Sequence, residues 1–364
     1  MKNTYGNSLT VTLFGESHGS AIGAVIDGLA PGIKVDTEYI DKKLALRRPS
    51  GRISTARVEK DNYTILSGVF NGYTTGTPIT VIIPNENTKS KDYSKQMDLV
   101  RPGHADFSAE CKYHGFQDYR GGGHFSGRIT AALVAAGALI SSALEAKGIR
   151  IGSHISNLHG ISDRHFENIE ADIEALSNRL FPVLDEESEA KMKLMIEDAA
   201  KAGDSVGGIL ESAILGVPAG VGEPWFDSVE SAISHILFSI GAVKGVEFGD
   251  GFAFANMLGS EANDPFCIEN GKVVTKTNKN GGINGGITNG MPIILRCAVK
   301  PTPSIYKEQD TVSLSKLTEE KLVIEGRHDP AIIHRARAVV DAALAIAVAD
   351  MLTVRFGTDY LANK

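Results

Sequence analysis

Three segments of the chain each place a histidine among glycines and arginines. They are residues 15–19 with Arg47, Arg48 and Arg52 further on, residues 101–106 leading to residues 120–128, and residues 326–330 followed by Arg335. Guanidinium groups bind phosphate and carboxylate oxygens in pairs, and glycines let backbone N–H groups approach an anion closely. A histidine near neutral pH can give a proton to a departing oxyanion. The three segments together indicate a multiply anionic substrate that carries a leaving group.

Each of these segments also has a purely structural explanation. His18, in a turn between glycines, could hydrogen-bond its own loop, and Asp106 could simply orient His104. Arg47 and Arg48, at the end of a predicted helix, could complement the helix dipole. On spacing alone, the function stays open between phosphate-ester chemistry and passive anion binding.

Two glycine runs and five other histidines carry less information. Residues 121–123 could be a loop, and residues 281–286 could be a hairpin. We expect the remaining candidates to be surface or packing residues, namely His114, His154, His159, His165 and His235. The chain contains neither a dinucleotide-binding glycine fingerprint nor a P-loop, so phosphate binding must come from arginine, lysine, hydroxyl groups and loop amides.

Composition and charge narrow the class of protein. The chain has 364 residues, and its net charge of −7 argues against a binder of nucleic acid or of anionic membranes, which both need a basic surface. Its three cysteines are too few and too scattered for a disulfide framework, so we expect a cytoplasmic protein. The apolar stretches 129–144 and 339–352 contain polar residues and many alanines, and we expect buried helices, not membrane spans.

The strands and helices that must position these residues are predicted in groups along the chain. We expect a strand at 8–14 leading into the turn at 15–19. A helix is expected to start near residues 36–37 and run toward Leu46, with Arg47 and Arg48 at its end, where Pro49 stops it. Further strands are predicted at 64–70, 78–83, 213–217, 243–248 and 291–299. Residues 167–201 have an acidic helical pattern typical of two solvated surface helices. Because strands and helices do not alternate strictly, the fold class is predicted to be α+β.

A larger set of motifs runs in order along nearly the whole chain and resembles the chorismate synthase family. The matching strings are residues 14–19, 47–49, 67–70, 75–77, 101–106, 112–113, 118–123, 222–224, 243–247, 300–302 and 326–330. The resemblance implies one domain over residues 1–364, with residues 157–203 the least family-like part. It also implies a helical layer sandwiched between antiparallel β-sheets and a homotetrameric assembly.

The resemblance further implies an activity. The family removes phosphate from 5-enolpyruvylshikimate 3-phosphate by an anti-1,4 elimination that yields chorismate, and it requires reduced FMN without net redox change. The resemblance leaves open whether NADPH reduces the flavin. Arg47 and Arg52 match positions sometimes assigned to NADPH binding, but binding of substrate anions explains these arginines as well.

Individual roles follow from the matching positions. His18 matches the histidine beside the leaving phosphate, His104 the histidine near flavin N1, and Asp329 the carboxylate of a proton relay. The positions that clamp the substrate are Ser17, Arg47, Arg52, Arg101, Arg128 and Arg335. The positions that contact the flavin are His124, Phe125, Ser126, Gly241, Ala242, Gly285, Lys300, Pro301, Thr302, Pro303, Ser304 and Arg327, of which Lys300, Thr302 and Ser304 suit the ribityl phosphate.

One stretch departs from the commonest family pattern. An arginine is replaced by His124, a serine by Phe125, an alanine by Gly127 and a glutamate by Ile129. Because histidine is only partly charged near neutrality, we expect flavin or substrate affinity to depend more on pH here. Two rival functions remain: a flavin-independent phosphatase or phosphotransferase, and a flavin-binding protein without catalysis.

Overall fold

The computed structural model describes residues 2–49, 51, 53–54, 60–86, 98–324 and 328–362. The β-strands, in chain order, are β1 (Thr4–Tyr5), β2 (Thr10–Gly15), β3 (Ala21–Asp27), β4 (Thr64–Ser67), β5 (Val69–Phe70), β6 (Tyr73–Thr74), β7 (Ile79–Pro84), β8 (Arg150–Leu158), β9 (Ile161–Ser162), β10 (Gly208–Leu215), β11 (Val243–Phe248), β12 (Phe266–Glu269), β13 (Lys272–Thr275), β14 (Ile283–Asn284), β15 (Ile287–Thr288), β16 (Ile293–Val299), β17 (Gln309–Ser313) and β18 (Thr318–Leu322).

Helices occupy the segments between these strands. The α-helices are α1 (Thr37–Arg47), α2 (Asp106–Tyr113), α3 (Thr130–Ala146), α4 (Ile169–Leu176), α5 (Glu186–Lys201), α6 (Val229–Ser239), α7 (Gly259–Ala262) and α8 (Ile333–Phe356). Short 3-10 helices cover Arg120–Phe125, Gly127–Ile129, Trp225–Asp227, Gly251–Asn256 and Thr358–Leu361.

Two antiparallel sheets form the outer layers. The first has five strands in the order β1-β2-β3-β7-β4, and the second has five in the order β11-β16-β10-β8-β9. Along β16 every second side chain, from Ile293 to Val299, is buried, which is the pattern of a sheet with one covered face. The remaining paired strands form separate two-stranded hairpins.

The helices α3 and α8 lie between the two sheets. The helix α3 packs against β3 and β7 of the first sheet, while α8 packs against β8 and β10 of the second. The two helices approach so closely that a Cβ atom built on Gly137 would stand 2.4 Å from the Cβ of Ala342. The predicted α+β class with a central helical layer is therefore confirmed, and small residues are what allow the close approach.

The apolar helix α3 belongs to this core. Within the described parts of the chain, the stretch Gly127–Ala146 is long and apolar enough to cross a membrane by length and composition alone, but 72% of its most apolar window is buried inside the protein. Its burial against α8 and the first sheet explains the composition as that of a core helix.

Two local predictions need correction. The predicted strand 64–70 is interrupted at Gly68, whose φ of 79° and contact with Ile79 bend the chain, so that β4 and β5 belong to different sheets. The acidic segment is also more than a solvated face. The helix α5 buries Met192, Ile196 and Ala199 in the core, because these positions share one side of the helix.

A row of alternating charges crosses the second sheet. Glu211 on β10 lies opposite His154 on β8 and Arg296 on β16, and Arg296 lies opposite Glu247 on β11. The two ring nitrogens of His154 lie 2.9 Å from Asp163 and 3.1 Å from Glu211. Although burial lowers the pKa of His154, these carboxylates raise it overall above its usual value. The fold thereby favours the imidazolium form of His154 more than water does.

Candidate functional site

A tri-glycine segment, Gly121–Gly123, receives the loop between β2 and β3. All three glycines have positive φ, between 53° and 83°. The backbone N–H of Ser17 donates to the carbonyl of Gly123 at 3.1 Å, and the Ser17 hydroxyl lies 3.1 Å from the carbonyls of Arg120 and Gly121. The run 121–123, for which the sequence allowed a simple loop, lies within the 3-10 segment Arg120–Phe125 with non-helical backbone angles, and it holds the loop that carries His18.

The two candidate catalytic histidines lie against consecutive glycines. A Cβ atom on Gly121 would stand 2.3 Å from Cε1 of His18, and one on Gly122 would stand 3.3 Å from Cε1 of His104. The structure therefore brings together two imidazoles that are 86 positions apart in the sequence, since 104 minus 18 is 86. Side chains larger than hydrogen at either glycine would crowd the rings.

The orientation of His104 is set by Asp106. Oδ1 of Asp106 lies 2.7 Å from Nδ1 of His104 and accepts from Nη2 of Arg101 at 2.7 Å, and Oδ2 accepts from Nε of Arg101 at 2.8 Å. Although burial raises the pKa of Asp106, hydrogen bonds from Arg101 and His104 hold it well below its usual range. An ionised Asp106 accepts the Nδ1 proton, so Nε2 of His104 is the nitrogen available for chemistry.

A similar argument applies to His18. The single hydroxyl proton of Ser17 goes to one of its two carbonyl neighbours, so its oxygen accepts from Nδ1 of His18, which lies 3.1 Å away. The Ser17 hydroxyl therefore orients the His18 ring through Nδ1. Both residues are buried. Ser17, predicted to bind substrate, is found here as the residue that orients His18.

Arg47 and Arg128 meet on a carboxylate that the sequence analysis missed. Asp61 is fully buried, its Oδ2 accepts from Nη1 of Arg47 at 3.0 Å, and its Oδ1 accepts from Nη1 of Arg128. Arg47 also donates to Thr130 and to the carbonyl of Gly127. The predicted anion-binding arginines are thus paired with an internal anion. Nothing in the residue types around position 61 marks it, because the pairing exists only in the folded chain.

Asn85 joins this cluster to the loop of His18. Its side-chain nitrogen donates to the carbonyls of Glu16 and Gly19 at 2.9 and 3.0 Å, and its oxygen accepts from Nε of Arg128 at 3.0 Å. This residue also escaped the sequence analysis, since a single asparagine after a strand carries no motif. It fixes Arg128 relative to His18.

The third segment reaches the same region through Arg335. Nη1 of Arg335 donates to Oδ2 of Asp329 at 2.7 Å, and its Nε donates to the carbonyl of Arg47 at 2.8 Å. Burial and the positive charge of Arg101 lower the pKa of His328, next to Asp329. Asp329 therefore forms an ion pair with Arg335, which also contacts Arg47. His328, the residue before Asp329, interacts electrostatically with Arg101.

Part of the predicted flavin loop lies against the segment of His104. Nζ of Lys300 donates to the carbonyl of Gly103, and a Cβ atom on Gly103 would stand 3.4 Å from Pro303. The backbone N–H of Lys300 donates to the carbonyl of Ala242, which brings the pair Gly241-Ala242 to the same loop. The hydroxyl of Thr302 is buried without a hydrogen-bond partner. The loop also contains Pro301 and Ser304.

The other predicted flavin positions are more dispersed. His124 places Nδ1 2.8 Å from the carbonyl of Gly15, Phe125 packs edge-on against Tyr113, and Ser126 caps the 3-10 helix Gly127–Ile129. Gly285 lies at the tip of the β14–β15 hairpin, whose contacts run to Ser228 and Val229 at the start of α6. These contacts are made by Gly286, the neighbour of Gly285, and the hairpin for which the sequence allowed residues 281–286 is found with its paired strands at residues 283–288.

Two predicted site residues, Arg52 and Arg327, lie outside the described residues. Within the described ranges, no group of three or more histidine, cysteine, aspartate or glutamate side chains is placed to hold a metal ion. The described site is therefore one of arginines, two oriented imidazoles and a carboxylate. This arrangement can neutralise an anionic ligand and can move protons at two separate nitrogens.

Comparison with known proteins agrees with this description. The family model for chorismate synthase matches residues 9–353. A chorismate synthase from Pyrococcus abyssi is 49% identical over 350 residues, which is 96% of this chain and 97% of the relative. One from Methanobrevibacter smithii is 45% identical over 366 residues and covers 100% of this chain and 99% of its own length. A crystal structure of a chorismate synthase superimposes with a TM-score of 0.77 at 31% identity, covering 98% of this chain and 94% of its own.

The fold and the relatives that share it thus define an enzyme, a lyase. The chain belongs to the chorismate synthase family, whose members act in the shikimate pathway of aromatic amino-acid biosynthesis.

Proposed function

We propose that this protein eliminates phosphate from 5-enolpyruvylshikimate 3-phosphate to give chorismate, with reduced FMN as its cofactor. The observation that carries the proposal is the placement of His18 and His104 on consecutive glycines, beside arginines suited to a polyanion. In the reaction the C3–oxygen bond and a C6–hydrogen bond break, the ring double bond shifts and a second one forms. Phosphate and a proton leave, so no net oxidation occurs.

The residues present fit a flavin mononucleotide. The buried hydroxyl of Thr302 lacks a hydrogen-bond partner, and Lys300 beside it supplies a positive charge, which together suit a phosphate. Lys300 also lies against Gly103, next to His104. When bound, reduced FMN supplies electron density to a ring that has no carbonyl to stabilise charge at C6.

The roles of the protein's own groups follow from their orientation. His18 donates its Nδ1 proton to Ser17, and in its imidazolium form it gives the second proton, from Nε2, to the departing phosphate and so lowers the cost of the developing charge. His104 is held through Nδ1 by Asp106, and its Nε2, which lies beside Gly122, is the atom proposed to act towards the cofactor. Asp329, fixed by Arg335, is the proposed acceptor of the proton lost from C6.

The proposed assembly is a cytoplasmic homotetramer, as the resemblance implies. The exposure of three aromatic side chains supports association with other copies of the chain. Trp225 is 84% exposed, Phe226 is 90% exposed and Phe252 is 83% exposed. Exposed aromatic groups of this size are typical of interfaces.

The test is anaerobic incubation of the protein with 5-enolpyruvylshikimate 3-phosphate and photoreduced FMN, following chorismate absorbance and phosphate release. The proposal predicts both products in equal amounts and none when FMN is omitted. Phosphate release without any flavin would favour a phosphatase or phosphotransferase. Flavin binding with unchanged substrate would favour a non-catalytic flavin protein. A parallel reaction with oxidised FMN and NADPH shows whether the protein reduces its own flavin.

A further inference from the structure

A cavity of about 250 Å³ lies between α1, the end of α3, β8, α4 and α8. None of the residues that line it is a predicted substrate or flavin residue. Gly152 on β8 lets α4 lie directly on the strand, because a Cβ atom there would stand 2.9 Å from Cγ1 of Ile173. Pockets for drug-sized ligands have volumes of about 300–1,000 Å³, so this cavity suits a smaller molecule.

Lys43 brings an ammonium group to this cavity without an anionic partner. Within the residues that the structure describes, its Nζ makes no hydrogen bond and no ion pair, and it lies 5.0 Å from the centroid of the Tyr39 ring. Arg337, whose guanidinium group already donates to two backbone carbonyls at 3.0 and 2.7 Å, adds a like charge to the same cavity. Burial, reinforced by the charge of Arg337, lowers the pKa of Lys43 despite the nearby Asp341. An anionic group of a ligand would therefore be stabilised beside Nζ.

Two carboxylates line the same cavity. Glu174 on α4 has no side-chain hydrogen bond or ion pair in the described part of the chain, and Glu145 uses Oε1 to accept from the Tyr39 hydroxyl at 2.6 Å. A ligand with only negative charge would be repelled by Glu174 and Glu145. A ligand with only positive charge would be repelled by Lys43 and Arg337. Charges of both signs thus favour a ligand that carries both.

We propose that this cavity binds a free α-amino acid with an apolar side chain. The carboxylate of the ligand pairs with Lys43, because the other exposed cation of the cavity, Arg150, is already paired with Glu170 at 3.1 Å. The ammonium group of the ligand pairs with Glu174. Its side chain lies against the apolar part of the lining, which comprises Ile151, Ile173 and Leu176. This binding is separate from the proposed elimination and requires neither flavin nor substrate.

The test is calorimetric titration of the wild-type protein with L-leucine, with isocaproate, which is leucine without its ammonium group, and with isoamylamine, which is leucine without its carboxylate. We expect L-leucine to bind saturably with a Kd of about 1 mM or lower. Each of the other two compounds should bind at least about tenfold more weakly, because it lacks one of the two charge-assisted interactions.

Two variants assign the partners of the ligand. Lys43→Met should bind L-leucine at least about tenfold more weakly. The matched control is Lys42→Met, at the exposed neighbouring lysine of α1, which should bind L-leucine as the wild type does. Glu174→Gln should weaken binding of L-leucine about threefold, because Glu145 remains, and should not weaken binding of isocaproate. A general disturbance of the cavity would weaken both.

The proposal is overturned if L-leucine does not bind saturably, if isocaproate or isoamylamine binds as well as L-leucine, or if Lys43→Met binds like Lys42→Met. Equal weakening of L-leucine and isocaproate by Glu174→Gln counts equally against it. The comparison of the three compounds uses the wild-type protein, so it decides the proposal even if a variant does not fold. The amino-acid site can fail while the elimination is confirmed, and it can stand if the elimination is not observed.

Discussion

Gly121 lies so close to His18 that a Cβ atom on it would stand 2.3 Å from Cε1 of the imidazole. Such a distance is far inside van der Waals contact, so the glycine defines where the ring can be. The neighbouring Gly122 does the same, less tightly, for His104. The glycine run 121–123, for which the sequence allowed a simple loop, thus contacts both proposed proton-transfer groups, His18 and His104.

Gly121→Ala is therefore expected to lower turnover by about 10²–10⁴-fold, the range for losing a general acid–base group, because the methyl group displaces the His18 ring. The measurement is the rate of chorismate formation under anaerobic conditions, with circular dichroism as a check on folding. Gly127→Ala is the matched control. A Cβ there meets no atom within 4 Å, and its activity should stay close to that of the wild type. Equal activity of the two variants would show that the Gly121 contact does not position His18.

Asp106→Asn is expected to lower turnover by less than His104→Ala, for which we expect about 10²–10⁴-fold. The asparagine keeps the shape of the side chain but no longer fixes the proton on Nδ1 of His104. Without FMN, both variants should still be folded, which thermal unfolding measures. An Asp106→Asn variant with wild-type turnover would contradict the orienting role.

The lowered pKa of Asp106 also gives a pH dependence of stability. Its ionised form is stabilised in the fold, so the contribution is complete above the unfolded pKa of about 3.9 and is lost as the pH falls through the lower folded value. The difference in free energy of unfolding between the wild type and Asp106→Asn should therefore be constant near neutrality and shrink in acid. A difference that grows in acid would have the wrong sign.

His154→Gln tests the charge row of the second sheet. The pKa of His154 is raised, so its ion pairs stabilise the fold fully below the unfolded pKa of about 6.5 and are lost as the pH rises through the folded value. We expect the variant to lose about 3 kcal/mol of unfolding free energy at about pH 6, measured by denaturant titration, and to lose less once the pH has risen through the folded pKa of His154. His165→Gln is the control, since His165 contacts the same Glu211 with a side chain 72% exposed. Equal losses for both variants would refute the argument.

The local elements were predictable where capping and periodicity agree. The helix α1 begins after Asp36, whose side chain accepts from the N–H of Tyr39, and it ends at Arg47 just before Pro49, as predicted. The strand at 64–70 was wrong because a single glycine conformation, at Gly68, redirects the chain between two sheets. Residue types do not reveal that turn, since the residues on both sides of Gly68 are ones typical of strands.

The site was predictable in its motifs but not in its pairings. The histidines His18 and His104 stand in recognisable glycine-rich strings, whereas Asp61 and Asn85 are isolated residues whose partners are distant in the sequence. The sequence also could not indicate that Arg47 would be occupied by an internal carboxylate. Such contacts depend on the packing of both α1 and the first sheet against α3.

The most direct test of the account is a crystal structure of the protein with FMN and 5-enolpyruvylshikimate 3-phosphate bound together. The quantity to measure in it is the distance from Nε2 of His18 to the phosphate ester oxygen. The account predicts a hydrogen bond of about 2.7–3.2 Å there, with His104 and Asp329 facing the same cavity. A complex in which His18 points away from the phosphate, or in which these three residues face separate cavities, would contradict it.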